Sequence, residues 1–149
     1  MNEKKIQALW VDDIRSSPDD TWQVARTVTS AIQAIALFEF DEYSLDHDIS
    51  HQIHLGRLSR PYPCEENFQA VAHFIGMKHK VRMIDEAYKE DALPAYVTHD
   101  YTHPYQPPKI HIHSSNPYGA EQIQRILKDY GLSATYGYTK PANRLEMEI

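Results

Sequence analysis

Two places in this chain set carboxylates side by side: Asp12-Asp13, and Asp46-His47-Asp48. If the fold brings them together, their mutual repulsion raises their pKa values unless a divalent cation sits between them. An all-oxygen site of this kind suits Mg²⁺ or Mn²⁺, which makes Asp12, Asp13, Asp46 and Asp48 candidate metal ligands. Taken singly, each of these acids is also an ordinary capping residue of a turn or helix. A third grouping is His111-Ile112-His113. On a strand, side chains two apart share a face, so both imidazoles would be presented together while Ile110 and Ile112 enter the core. Such a pair can ligate a metal, or supply one phosphate contact and one general acid near neutral pH. One of the two can equally serve as a structural hydrogen-bonding residue.

Ser114-Ser115-Asn116-Pro117-Tyr118-Gly119 follows at once. At the start of a helix, unpaired backbone N–H groups and the positive dipole end favour an anion, with Ser114, Ser115 and Asn116 adding donors. The same residues are common N-caps and turn formers. Arg15, two residues past the first acidic pair, and Arg26 offer bidentate phosphate contacts, or neutralise the nearby acids. His51 and His54 lie just beyond the second acidic group, whereas His79, His99 and His103 lie in polar stretches and are expected to be solvated. Tyr96, Tyr101, Tyr105 and Tyr118 can stack on a base, although loop tyrosines more often pack.

These groups must be positioned by strands and helices. Ile6 to Val11 is a short apolar run ending in Asp12-Asp13, the pattern of a buried strand. Trp22 and Val24 suggest a second short strand. Thr29 to Phe38 has helical spacing (Ala31, Ile32, Ile35, Ala36), with Thr27 or Thr29 as N-cap. Tyr43-Ser44-Leu45 is a further strand that ends in acids. Residues 49–63 lack periodicity and contain Gly56, Pro61 and Pro63, which predicts a loop. Phe68, Val71, Ala72 and Ile75 predict a helix over 65–77, and a second apolar stripe, Val81, Ile84, Ala87 and Tyr88, either continues or follows it. The Pro-, Tyr-, His- and Thr-rich stretch to Pro108 is too short to hold its own core, so about 78–108 is expected to be a helical or irregular insertion. Lys109 to His113 predicts a strand and about 120–130 a helix with Gly131 as its C-cap. Leu132, Ala134, Tyr136 and Tyr138 can close the sheet. Strands alternating with helices imply a single α/β domain over 1–149, a three-layer sandwich around a mostly parallel sheet. Its ligand crevice lies outside the carboxyl ends of the strands, where the acids and histidines fall.

Composition narrows the function classes. The chain has 149 residues, 15 Lys plus Arg against 21 Asp plus Glu, and a net charge of −6. That length supports one domain with a core that needs no staples, and the acidic balance argues against non-specific binding to duplex nucleic acid. The single Cys64 cannot pair within the chain, which favours a reducing compartment, the cytoplasm. No apolar leader follows Met1 and no window approaches a membrane span, so no membrane partner is expected. Mean hydropathy is −0.59 with 42% hydrophobic residues, which is polar but foldable.

Four blocks carry a resemblance. Leu9-Trp10-Val11-Asp12-Asp13-Ile14-Arg15, Trp22 with Ala25-Arg26-Thr27, Ser44-Leu45-Asp46-His47-Asp48, and His113-Ser114-Ser115-Asn116-Pro117 with Gly119 occur in that order. Together they resemble the cyclic-phosphate-processing receiver-like domains, over the first 48 residues and about 109–130. The resemblance implies a receiver-like sandwich and a role with nucleotide-derived or RNA-derived cyclic phosphates. It also implies that Asp12 and Asp13 match the acidic pair that holds Mg²⁺ in response-regulator receivers, and that Asp46 stands where their phosphoacceptor strand ends. Ser114 or Ser115 would match the hydroxyl residue after the fourth strand, and Lys140-Pro141 the Lys-Pro after the fifth. The step from Asp13 to Asp46 is short for an ordinary receiver, and His47, His111 and His113 are foreign to that pattern. The leading expectation is therefore a metal-dependent phosphoesterase acting on a cyclic-phosphate nucleotide: Asp46, His111 and His113 catalytic; Arg15, Ser114, Ser115 and Asn116 on the phosphate; Mg²⁺ or Mn²⁺ on Asp12, Asp13, Asp46 and Asp48. A protein that binds a cyclic nucleotide without turnover is the alternative, and a phosphoacceptor switch at Asp46 the third reading.

Overall fold

A computed structural model describes residues 7–49, 67–88 and 105–137. In chain order the elements are β1 (Ala8–Val11), β2 (Trp22–Ala25), α1 (Val28–Leu37), β3 (Glu42–Leu45), α2 (Gln69–Tyr88), β4 (Lys109–Ile112), α3 (Pro117–Asp129) and β5 (Thr135–Tyr136). The five strands form one parallel sheet in the order β2-β1-β3-β4-β5. β1 and β3 are neighbours, but the chain leaves β1 for the edge strand β2 before crossing back. That reversal is a topological switch point, and ligands of such sheets bind outside it.

The β1–β2 connection, residues 12–21, carries no helix. This accounts for the short step between the acidic groups. The remaining crossovers, β2 to β3, β3 to β4 and β4 to β5, all advance the same way across the sheet, so a common right hand places their helices on one face. The core agrees: Leu9, Val11, Leu45, Ile110 and Ile112 of the strands share one buried cluster with Ala31 and Ile35 of α1, Val71 and Ile75 of α2, and Ile123 and Leu127 of α3. Each fully buried aliphatic side chain of this set contributes about 2 kcal/mol. The opposite face holds a smaller cluster of Ala8, Trp10 and Trp22. Of the expected three layers, the described residues thus supply the sheet and one helical layer.

Local chemistry fixes the helix ends. Thr27 caps α1 in a capping box with Ser30. Helix α3 begins earlier than its apolar spacing suggests, because Asn116 is the N-cap and Pro117 the first helical residue. At its other end the Leu132 N–H donates to Leu127 O and the Gly131 N–H to Lys128 O, with Gly131 at φ +86°. This Schellman closure requires a left-handed residue, hence glycine.

Helix α2 is continuous to residue 88, so the first part of the stretch expected as an insertion is helical. The second apolar stripe does not enter the core. Val81 and Ile84 are more than half exposed, and the inward face there is polar. The Lys78 ammonium donates to Ile35 O and Phe38 O at the end of α1, and Arg82 Nε donates to Glu39 Oε1 at 2.9 Å. His79, expected to be solvated, is buried and hydrogen-bonds the Tyr105 hydroxyl at 2.7 Å. No helix among the described residues is long and apolar enough to cross a membrane.

Candidate functional site

The carboxyl ends of β1 and β3 lie side by side, with Val11 in register with Leu45, so the residues that follow meet at the switch point. Asp12, Asp13 and Asp46 each offer a carboxylate oxygen, and these oxygens all lie within 4.8 Å of one another. Asp12 is fully buried and Asp46 is 5% exposed. Their surroundings divide them. Burial works to raise the Asp12 carboxyl, but hydrogen bonds from His113 and from the Arg15 and Ile14 N–H groups outweigh it and hold it below the usual value. Burial pushes Asp46 up to about 7, and the neighbouring Asp12 charge adds to the effect against the opposing His47 N–H and Arg15. The fold thus keeps one acid ionised and makes a second expensive to ionise beside it. A hard divalent cation relieves that repulsion, so the donor set fits Mg²⁺ or Mn²⁺.

Arg15 stands at the rim of this cluster. Its Nη1 lies 3.8 Å from Asp12 Oδ2 and 3.9 Å from Asp46 Oδ1, and it donates to His113 O at 2.8 Å. Its Nη2 approaches Ser115 Oγ at 3.4 Å. The loop carrying Arg15 is held independently of that side chain: Trp10 Nε1 donates to Arg15 O at 3.0 Å, and the Arg26 guanidinium reaches both Arg15 O and Asp12 O.

The two strand histidines take different roles. His113 is 1% exposed, and its ring stacks on Trp10 with centroids 3.8 Å apart and 7° between planes. Its Nε2 lies 2.8 Å from Asp12 Oδ2 and its Nδ1 2.7 Å from Ser44 Oγ. An ionised carboxylate only accepts, which assigns the proton to Nε2 and makes Nδ1 the acceptor of the Ser44 hydroxyl. Burial, outweighing the Asp12 carboxylate, lowers the His113 pKa and keeps the ring neutral. His111 sits on the same face of β4 but hydrogen-bonds Thr135 Oγ1 at 2.9 Å on β5, away from Asp12.

The remaining candidates form a separate, connected group. Asp48 is outside the three-acid cluster: its Oδ1 accepts from His47 Nδ1 at 2.6 Å and from Asn116 Nδ2 at 3.1 Å. Asn116 Oδ1 accepts the Gly119 N–H at 3.0 Å, and the buried Ser114 Oγ accepts the Asn116 N–H at 3.0 Å. Both side chains therefore build the turn into α3, while Ser115 is exposed at the rim. His47, accepting from Gln69 Nε2 at 2.9 Å, packs against Gly119, where an added Cβ would overlap its imidazole. Gly119→Ala is accordingly expected to cost about 2 kcal/mol through displacement of His47, read as a lower urea midpoint with an unchanged slope. Native stability in that variant would show that His47 moves aside freely.

Trp10 and Ser44 were not among the sequence candidates. Their signal was a serine inside an apolar strand, in register with Trp10 on one side and His111 on the other. His51, His54, His99, His103, Tyr96, Tyr101 and Lys140-Pro141 lie outside the described residues. Tyr118 is 71% exposed on the first turn of α3.

A search of curated proteins and a search of solved structures each returned no match. A family model described as the cyclic-phosphate processing receiver domain matches residues 7–129, which span the described sheet up to the end of α3. With its five-stranded parallel sheet in receiver order and its acidic cluster at the switch point, this chain belongs to the cyclic-phosphate processing receiver domain family.

Proposed function

We propose that the protein is a metal-dependent phosphoesterase acting on a nucleotide or RNA-derived molecule that carries a cyclic phosphate. The observation that carries this reading is the group of three carboxylates from two adjacent strand ends, with a guanidinium at its rim. Asp12, Asp13 and Asp46 would hold Mg²⁺ or Mn²⁺, which when bound polarises a phosphoryl oxygen and lowers the pKa of a bound water. Arg15 would hold phosphate oxygens, with the Ser115 hydroxyl beside it. Asp46, whose charge burial and Asp12 oppose in the metal-free site, would be held ionised by the bound cation. His113 acts as a positioning residue: its Nε2–H fixes the orientation and charge of Asp12.

Binding without turnover is the second reading, favoured by one observation: both nitrogens of His113 are occupied within the protein, which removes a ready acid for the leaving oxygen. The deciding experiment incubates the protein with 2′,3′-cyclic, 3′,5′-cyclic and oligomeric cyclic nucleotides, with and without Mg²⁺ or Mn²⁺. Products are read by liquid chromatography and binding by thermal shift. Metal-dependent conversion of one substrate is the expected result. A shift with the ligand recovered intact overturns turnover in favour of sequestration, and a stable mass increase on Asp46 with small phosphodonors would indicate a phosphoacceptor.

A further inference from the structure

The Arg15 side chain is tied to the acidic cluster in an unusual way. Its nitrogen lies 3.8 and 3.9 Å from Asp12 and Asp46, beyond hydrogen-bond reach, while its short bond goes to a neutral carbonyl, His113 O at 2.8 Å. Its link to the acids themselves is one of charge, while the His113 carbonyl anchors it beside them. Its backbone is fixed separately, the N–H by Asp12 Oδ1 at 2.8 Å and the carbonyl by Trp10 and Arg26. The guanidinium, with its side chain 36% exposed, can therefore leave the cluster without unfolding the loop.

A divalent ion bonded to Asp12 and Asp46 would sit next to that guanidinium, and two like charges at such a separation repel strongly where water is scarce. From this geometry we infer that Arg15 is a resident counter-cation, which competes with the divalent ion for Asp12 and Asp46 and becomes an anion holder only when the ion is in place. The inference rests on the metal-binding reading above. It goes further in assigning Arg15 two mutually exclusive partners, carboxylate and oxyanion. An oxyanion arriving at the loaded site would take the guanidinium edge now facing Ser115 Oγ, whose 3.4 Å hydrogen bond is the longest that Arg15 makes. Metal would then precede phosphate, because only the ion frees the guanidinium from the acids.

Calorimetric titration of MgCl₂ into wild type, Arg15→Gln and Arg15→Lys at pH 8 and constant ionic strength tests this, followed by titration of inorganic phosphate into each Mg²⁺-loaded protein. Arg15→Gln is expected to bind Mg²⁺ about tenfold more tightly, since one repelling charge is gone, and to lose phosphate binding. Arg15→Lys keeps the charge, so its Mg²⁺ affinity should stay within about twofold of wild type. Equal or weaker Mg²⁺ binding by Arg15→Gln overturns the inference, as does equal tightening in both variants. Wild type that binds no Mg²⁺ at all would instead overturn the metal-binding reading.

Discussion

Asp46→Asn is expected to abolish Mg²⁺ binding while raising the melting temperature of the metal-free protein by about 5 °C at pH 8. Asn keeps the Oδ1 acceptor for the His47 N–H, 2.8 Å away in the wild type, and removes the charge that burial and Asp12 oppose. The sign follows from linkage. Asp46 has a folded pKa of about 7 against an ordinary 3.8, so its contribution to stability is fully present below about pH 4 and is lost as pH rises through 7. The gap between Asp46→Asn and wild type should therefore widen from pH 5 to pH 8 by on the order of 2 kcal/mol, the attraction of Arg15 being already contained in the raised value. Saturating Mg²⁺ should close it, because only wild type gains ligand stabilisation. For the same reason, Mg²⁺ affinity in wild type should weaken about tenfold per pH unit below 7 and level off above it. Melting curves from pH 5 to 8, with and without Mg²⁺, check all three statements. A variant less stable than wild type at pH 8 would show that Asp46 is not the strained member of the cluster.

The second large effect is structural. His113→Ala is expected to cost about 4 kcal/mol, by opening a cavity against Trp10 and leaving Ser44 and Asp12 without the partner they share. His113→Gln, whose amide nitrogen can reach the place of Nε2, should recover about half of that by again donating to Asp12, though it loses the stacking on Trp10. Urea unfolding followed by circular dichroism measures both, and the Trp10 emission should shift to the red in the alanine variant as the indole becomes wetter. If the alanine variant unfolds like wild type, His113 is not the post that supports Asp12. Loss of activity in His113→Ala is interpretable only beside these curves, since a positioning residue and a proton donor would both reduce turnover.

Much of this architecture was legible in the chain. The apolar run that stops at Asp12, the strand that stops at Asp46, the capping threonine of α1 and the glycine after α3 are local signals, because burial on both faces of a parallel strand and the geometry of helix ends constrain residue type within a few positions. Helix α2 was harder. Its second half buries His79 and Arg82 and exposes Val81 and Ile84, so periodicity pointed to the wrong face. The reason is electrostatic: Lys78 and Arg82 dock on the carbonyl end of α1 and on Glu39.

The strands and the acids at their ends are readable from patterns within a few residues, and the alternation of strands with helices along the chain implies the parallel α/β class. Which acids share one site is set by strand order, which no local pattern carries. β1 pairs with β3 and gathers Asp12, Asp13 and Asp46, whereas Asp48, a mere two residues past Asp46, turns to His47 and the cap of α3. The same holds for the histidines. Alternation put His111 and His113 on one face, but the packing of Trp10, Ser44 and Asp12 around one ring made His113 a buried neutral brace, because desolvation and fixed partners, not residue type, set what an imidazole can do.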